Sequence, residues 1–318
     1  MRVAEQLPCV IYLHGNCSSR IEALPAVEVL LPSNITLFCF DFAGCGLSEG
    51  EYISLGWYEK DDVEEVVDFL RASGKVSTIG LWGRSMGAVT SLMHADRDPS
   101  IAGIVLDSPF SDLRVLAEEL AKTHANLPKF VVSGTLSFVR KTIQSKAKFD
   151  INNLVPMNHV KSAFIPAFFV TGKEDTFILP HHTQDLYKNY SGDKNLVIVE
   201  GDHNSPRPQF LLDSIAIFFY NTLLCSLLPS EPESKGKLKN ESKADKEAPS
   251  LSETYLKHNK KLQENLNIGN EKEISEMFGD FGDADLLRAL EESMKDVTGG
   301  QDVENGKEEA KAESILFC

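Results

Sequence analysis

VSTIGLWGRSMG, residues 76–87, is the stretch that decides how this 318-residue chain folds. An apolar run rich in β-branched and aromatic residues (76–82) feeds into Gly83-Arg84-Ser85-Met86-Gly87, and a helix-forming stretch follows. A strand that turns this abruptly into a helix leaves no room for a side chain at the first or last glycine. Ser85 is forced into a strained conformation with its hydroxyl clear of the backbone. Gly83 and Gly87 are therefore read as elbow residues and Ser85 as a nucleophile.

Working outward, two more apolar runs end in residues that can serve such a serine. Run 167–171 (AFFVT) leads into Gly172-Lys173-Glu174-Asp175, and run 195–199 leads into Gly201-Asp202-His203-Asn204. Both motifs lie past the carboxyl ends of expected strands, where open parallel sheets place their chemistry. An imidazole must take the serine proton, and a carboxylate must hold that imidazole in one tautomer. His203 is the base candidate and Asp175 the acid, with Asp107 at the end of run 104–106 as the alternative acid. A developing oxyanion needs two inward N–H donors. We expect them at Met86, which follows the nucleophile, and at Asn16, which follows the apolar run 9–13 in His14-Gly15-Asn16. His14 and Gly15 are read as support for that loop. Arg84 is read as a solvated or ion-paired side chain.

The order Ser, Asp, His, together with these motifs, resembles the α/β-hydrolase superfamily over roughly residues 1–228. The loop Asp41-Phe42-Ala43-Gly44-Cys45-Gly46-Leu47-Ser48-Glu49-Gly50 is similar to one in the branch that holds serine aminopeptidase-like hydrolases and protein depalmitoylases. The resemblance implies an α/β fold, with a mostly parallel sheet flanked by helices. It also implies a metal-free, cofactor-free hydrolase acting through an acyl-enzyme on a small ester, thioester or peptide. Members of the branch carry two antiparallel strands ahead of the strand ending in His-Gly. Only eight residues precede that strand here, so those two strands are expected to be missing and the sheet edge open to pairing.

Strands are expected at 9–13, 36–41, 76–82, 103–106, 167–171 and 195–199, alternating with helices, which predicts a parallel sheet with right-handed crossovers. The clearest helix is 57–72, with Val63, Val66, Val67 and Leu70 on one face. About 110–165 should form a small helical cap, and the basic residues Arg140, Lys141, Lys146 and Lys148 in it read as a solvated face.

Charge argues against nucleic acid: the chain carries a net −15, with no basic face for phosphates. The six cysteines show no regular spacing, so they suggest neither a disulfide framework nor a metal site. Cys9 and Cys39 read as small apolar core residues. No stretch is long and apolar enough to span a membrane. These features together point to a reducing compartment, the cytoplasm or nucleus.

After Pro229 the composition changes. Residues 229–272 are polar and low in large apolar residues, the signature of a disordered linker. The segment 273–298 is acidic and contains Leu286, Ala289, Leu290 and Ser293 at helical spacing, and 299–318 reads as a disordered tail. The helix resembles a ubiquitin-interacting motif, in which apolar anchors at this spacing would lie in a groove on the partner. An alternative reading makes the chain chiefly a ubiquitin-binding scaffold with incidental or lost catalysis.

Overall fold

The computed structural model describes residues 6–125 and 129–224. The linker 229–272, the helix with Leu286, Ala289, Leu290 and Ser293, and the tail 299–318 lie outside the described residues.

Six strands form one sheet, β1 (Leu7–Leu13), β2 (Thr36–Cys39), β3 (Val76–Arg84), β4 (Gly103–Asp107), β5 (Ala167–Gly172) and β6 (Lys194–Val199). Their order across the sheet is β2-β1-β3-β4-β5-β6, and every pairing is parallel. Each expected strand forms, although β2 ends at Cys39, two residues short of the expected 36–41. Strands covered on both faces need apolar residues on both, and β4 and β5 are buried at every position.

Helices cover both faces. Helices α1 (Leu24–Leu30) and α7 (Gln209–Thr222) pack on one face around Val10, Trp82, Val105 and Phe219. The other face takes α2 (Glu59–Ala72), α3 (Met86–Ala95) and α6 (Pro180–Asn189) around Ile11, Leu81, Leu106 and Phe169. In α2 the stripe read from sequence turns inward: Val63, Val67 and Leu70 are buried and Val66 is half-buried. Burial of each such side chain contributes about 1.5–3 kcal/mol.

Between β4 and β5 lie α4 (Leu113–Ala125) and α5 (Lys129–Lys146), followed by short turns at Ile151–Asn153 and Pro156–Asn158. This segment packs over α3 through a small core of its own, including Phe110, Leu116, Ile143 and Phe149. Arg140 is not merely solvated, since it forms an ion pair with Asp150.

One core assignment is corrected. Cys9 is buried in β1, but Cys39 is exposed, because β2 is an edge strand with one covered neighbour only. Among the described residues no helix is long and apolar enough to cross a membrane.

Candidate active site

Strand β3 ends at Arg84 and helix α3 begins at Met86, so a single residue makes the turn. That residue, Ser85, has φ +51° and ψ −116°, a conformation costing on the order of 1–3 kcal/mol. Surrounding bonds hold it there: its N–H donates to the Asp107 carbonyl at 2.7 Å, and its carbonyl accepts from Val89 N–H at 3.1 Å. The glycines matter through close approach. A Cβ on Gly83 would stand 2.1 Å from the Gly87 carbonyl oxygen, and one on Gly87 would stand 1.9 Å from that of Leu13. All ten residues of α3 are buried, which fixes the helix start and its first N–H, that of Met86. Unpaired N–H groups at such a start carry partial positive charge.

The loops after β5 and β6 bring the next two candidates together. His203 Nδ1 lies 2.7 Å from Asp175 Oδ2. The other carboxylate oxygen of Asp175 accepts backbone N–H bonds from Phe177 at 3.0 Å and Ile178 at 2.8 Å. Both residues are buried, and the Phe177 ring packs 5.2 Å from the imidazole. With Asp175 accepting, the proton of neutral His203 sits on Nδ1, and its Nε2 keeps a lone pair.

Asp107 meets a different partner. Its carboxylate takes two bonds from Arg207, at 2.9 Å from Nε and 2.8 Å from Nη2. Burial alone would raise the Asp107 pKa, but the Arg207 guanidinium outweighs it and holds the carboxyl below its ordinary range. Arg207 also reaches the Asp202 and Ser205 carbonyls, at 3.2 Å each. It thereby ties the His203 loop to the end of β4.

The loop after β1 is braced from two sides. His14 is fully buried; its Nε2 accepts from Phe42 N–H at 3.2 Å, so Nδ1 carries the proton and donates to Gly15 O at 2.8 Å. Gly15 N–H in turn donates to the Glu22 carboxylate at 3.1 Å, and Tyr12 OH donates to it at 3.1 Å. Burial, reinforced by the Glu22 charge, pushes the Tyr12 phenol up and keeps it a donor. Asp41 anchors the neighbouring motif by accepting from Arg20 N–H at 2.6 Å and Leu47 N–H at 2.9 Å. The Asn16 carboxamide oxygen is buried and accepts no hydrogen bond within the described residues. A small apolar cavity opens beside it, lined by Ile53, Leu55, Leu113, Ile143, Phe149 and Ile151.

Sequence reasoning missed two supporting residues, Glu22 and Arg207, and saw only part of the role of a third. Arg84, read as solvated or ion-paired, is half-buried and pairs with Glu22 at 3.9 Å, and it also donates to the His203 carbonyl at 2.9 Å and to Asn204 Oδ1 at 2.8 Å. Glu22 and Arg207 gave no signal, because neither belongs to a local motif.

A family model described as "Serine aminopeptidase, S33" matches residues 4–155, and one described as "PhoPQ-activated pathogenicity-related protein" matches residues 83–252. The uncharacterized protein YqkD of Bacillus subtilis is 28% identical over 201 residues, which are 61% of this chain and 64% of that protein. The uncharacterized protein YfhR of Escherichia coli K12 is 25% identical over 201 residues, 61% of this chain and 62% of its own. The chain thus spans less than two thirds of the length of these curated relatives. Among solved structures, an esterase of Pyrococcus furiosus, Pf2001, is similar at 26% identity with a TM-score of 0.54, covering 68% of this chain and 83% of that one. The α/β hydrolase GrgF of a Penicillium species, at 19% identity and a TM-score of 0.53 over 70% of this chain and 92% of its own, shares the fold. The two family matches overlap across the elbow and agree with the six-stranded sheet: the chain belongs to the α/β-hydrolase superfamily.

Proposed function

We propose that this protein is a serine hydrolase cleaving a carboxylic ester or thioester, with Ser85 as nucleophile, His203 as base and then acid, and Asp175 as the group that orients His203. The observation that carries this reading is the buried 2.7 Å His203–Asp175 pair, combined with a serine at φ +51° between strand and helix. His203 Nε2 takes the Ser85 proton as Oγ attacks the carbonyl carbon. The N–H groups of Met86 and Asn16 hold the resulting oxyanion, and losing one such donor costs about 10²–10³ in kcat. His203 then returns the proton to the leaving oxygen or sulfur, and water, activated by the same imidazole, releases the acid from Ser85.

The apolar cavity beside Asn16 supports an acyl group as the part bound there. Ester chemistry is further supported by the likeness to the Pyrococcus furiosus esterase. Peptidase action on short peptides is the second reading, favoured by the description of the family matching residues 4–155.

The test is covalent. A fluorophosphonate should add once to the folded protein, at Ser85, and not to Ser85→Ala, as read by intact mass and peptide mapping. A folded wild type that takes no adduct would overturn the assignment.

Ubiquitin binding through Leu286, Ala289, Leu290 and Ser293 is proposed on the sequence pattern alone. Titrating isotope-labelled ubiquitin with the tail peptide should move a contiguous set of its amide resonances. Unmoved resonances would dismiss the idea.

A further inference from the structure

Three side chains converge where α4 meets the start of α6. Pro180 opens α6 with a preset φ, and the next two residues, His181 and His182, stand with their rings stacked, centroids 4.4 Å apart and planes 26° apart. Both rings aim Nε2 at one carboxylate. His181 Nε2 lies 2.8 Å from Glu119 Oε1, and His182 Nε2 lies 2.9 Å from Oε2. One ligand atom from each of the three residues lies within 4.8 Å of the other two. Sequence spacing gave no hint of this, because Glu119 is 62 residues from His181.

Two imidazole nitrogens and a carboxylate oxygen gathered at one point form a donor set suited to first-row divalent ions, zinc above all. We propose that Glu119, His181 and His182 form a site for such an ion, with water in the remaining positions. The proposal is independent of the reaction at Ser85.

The surroundings fit a metal site in two ways. His182 is fully buried, and its other nitrogen, Nδ1, accepts from the Ser111 backbone N–H at 3.3 Å and lies 2.8 Å from Ser111 Oγ. When Nε2 gives its lone pair to the ion, the ring proton moves to Nδ1, which gives up the longer bond from Ser111 N–H and donates to Ser111 Oγ instead. Such an outer contact fixes ring orientation at a metal. His181 and Glu119 keep 44% and 27% of their side-chain surface exposed, which gives the ion an entry path and leaves room for water ligands. A bound ion would fasten α4, from the segment between β4 and β5, to the helix that follows the Asp175 loop. In its absence the same atoms make a hydrogen-bonded His–Glu–His bridge.

The experiment uses the full chain without an affinity tag, stripped with chelator and titrated with Zn²⁺ by calorimetry, then with Co²⁺ in the visible. The expected result is one Zn²⁺ per chain. Affinity should fall at least about tenfold in Glu119→Gln and in His181→Ala, while Ser85→Ala binds as the wild type does. These two variants are chosen because both positions reach solvent, and unchanged far-ultraviolet dichroism checks their fold. Zn²⁺ should raise the wild-type melting temperature, by mass action on the folded state, and chelator should reverse the rise. Three results would each overturn the proposal: no uptake by the wild type, equal uptake by both variants, or a thiolate-to-cobalt charge-transfer band placing the ion on cysteine.

Discussion

Arg84 Nη2 donates to the backbone oxygen of His203 at 2.9 Å, across 119 residues of sequence. The residue that precedes the candidate nucleophile thus grips the loop of the candidate base, and it holds Asn204 Oδ1 at 2.8 Å as well. A planar guanidinium can serve two acceptors on one loop in a fixed geometry, which an ammonium cannot.

Replacing Arg84 should therefore misplace His203 without unfolding the protein. We expect Arg84→Met to lower kcat on a p-nitrophenyl ester by about 10²-fold, the scale of a roughly 1 Å displacement. KM should stay near its wild-type value, and Arg84→Lys should recover part of the loss. An unchanged kcat in Arg84→Met would show that the grip has no bearing on the reaction.

The two buried aspartates should separate by phenotype. Asp175→Asn removes the acceptor that fixes the His203 tautomer and should cost about 10⁴ in kcat. Asp107→Asn breaks the bidentate pair with Arg207 and should cost about 3–5 kcal/mol of stability, measured by urea unfolding, with a smaller effect on kcat. If Asp107→Asn abolished turnover while Asp175→Asn kept it, the acid role would pass to Asp107.

The Asp107–Arg207 pair also predicts a pH dependence. Burial opposes ionisation of Asp107, but Arg207 prevails and depresses its pKa in the folded protein. A depressed carboxylate stabilises the fold above the unfolded-state value of about 3.9 and loses that contribution as pH falls through the lower folded value. The stability difference between wild type and Arg207→Met should be constant while Asp107 is ionised in both, and shrink on acidification as the Arg207→Met carboxyl, raised by burial, takes up its proton before the wild-type one does. A difference that grew on acidification would contradict the assigned partner.

Two glycine substitutions should behave very differently. At Gly87 the added Cβ would lie 1.9 Å from the Leu13 carbonyl, backbone against backbone, so Gly87→Ala should cost more than about 4 kcal/mol or prevent folding. At Gly74, with φ +65° and nothing within 4 Å of the added atom, Gly74→Ala should cost only about 1–2 kcal/mol. Thermal unfolding of both variants checks this. Similar losses would mean that the tight turn is less constrained than its geometry implies.

The strands, the elbow and the main helix stripe were legible in the sequence because each is a local pattern. Apolar runs of three to seven residues ending at His-Gly, glycine or aspartate locate β1, β3, β4 and β5, and Val63, Val67 and Leu70 mark the inner face of α2 by spacing alone. Cys39 was misread for the complementary reason: an apolar run does not reveal whether its strand lies at the centre or the edge of the sheet.

By itself, then, the sequence determined the alternation of strands and helices, the Gly-x-Ser-x-Gly turn and the position of His203 after the last strand. These follow from steric rules and periodicities that act over a few residues. Only the tertiary structure decided that the His203 imidazole meets Asp175 while Asp107 meets Arg207, that Arg84 clasps the His203 loop, and that Glu119 faces two histidines on another helix. Each of these pairings joins segments tens of residues apart. A side chain's partner is set by where the parallel sheet brings its loops together at one edge, which no local pattern encodes.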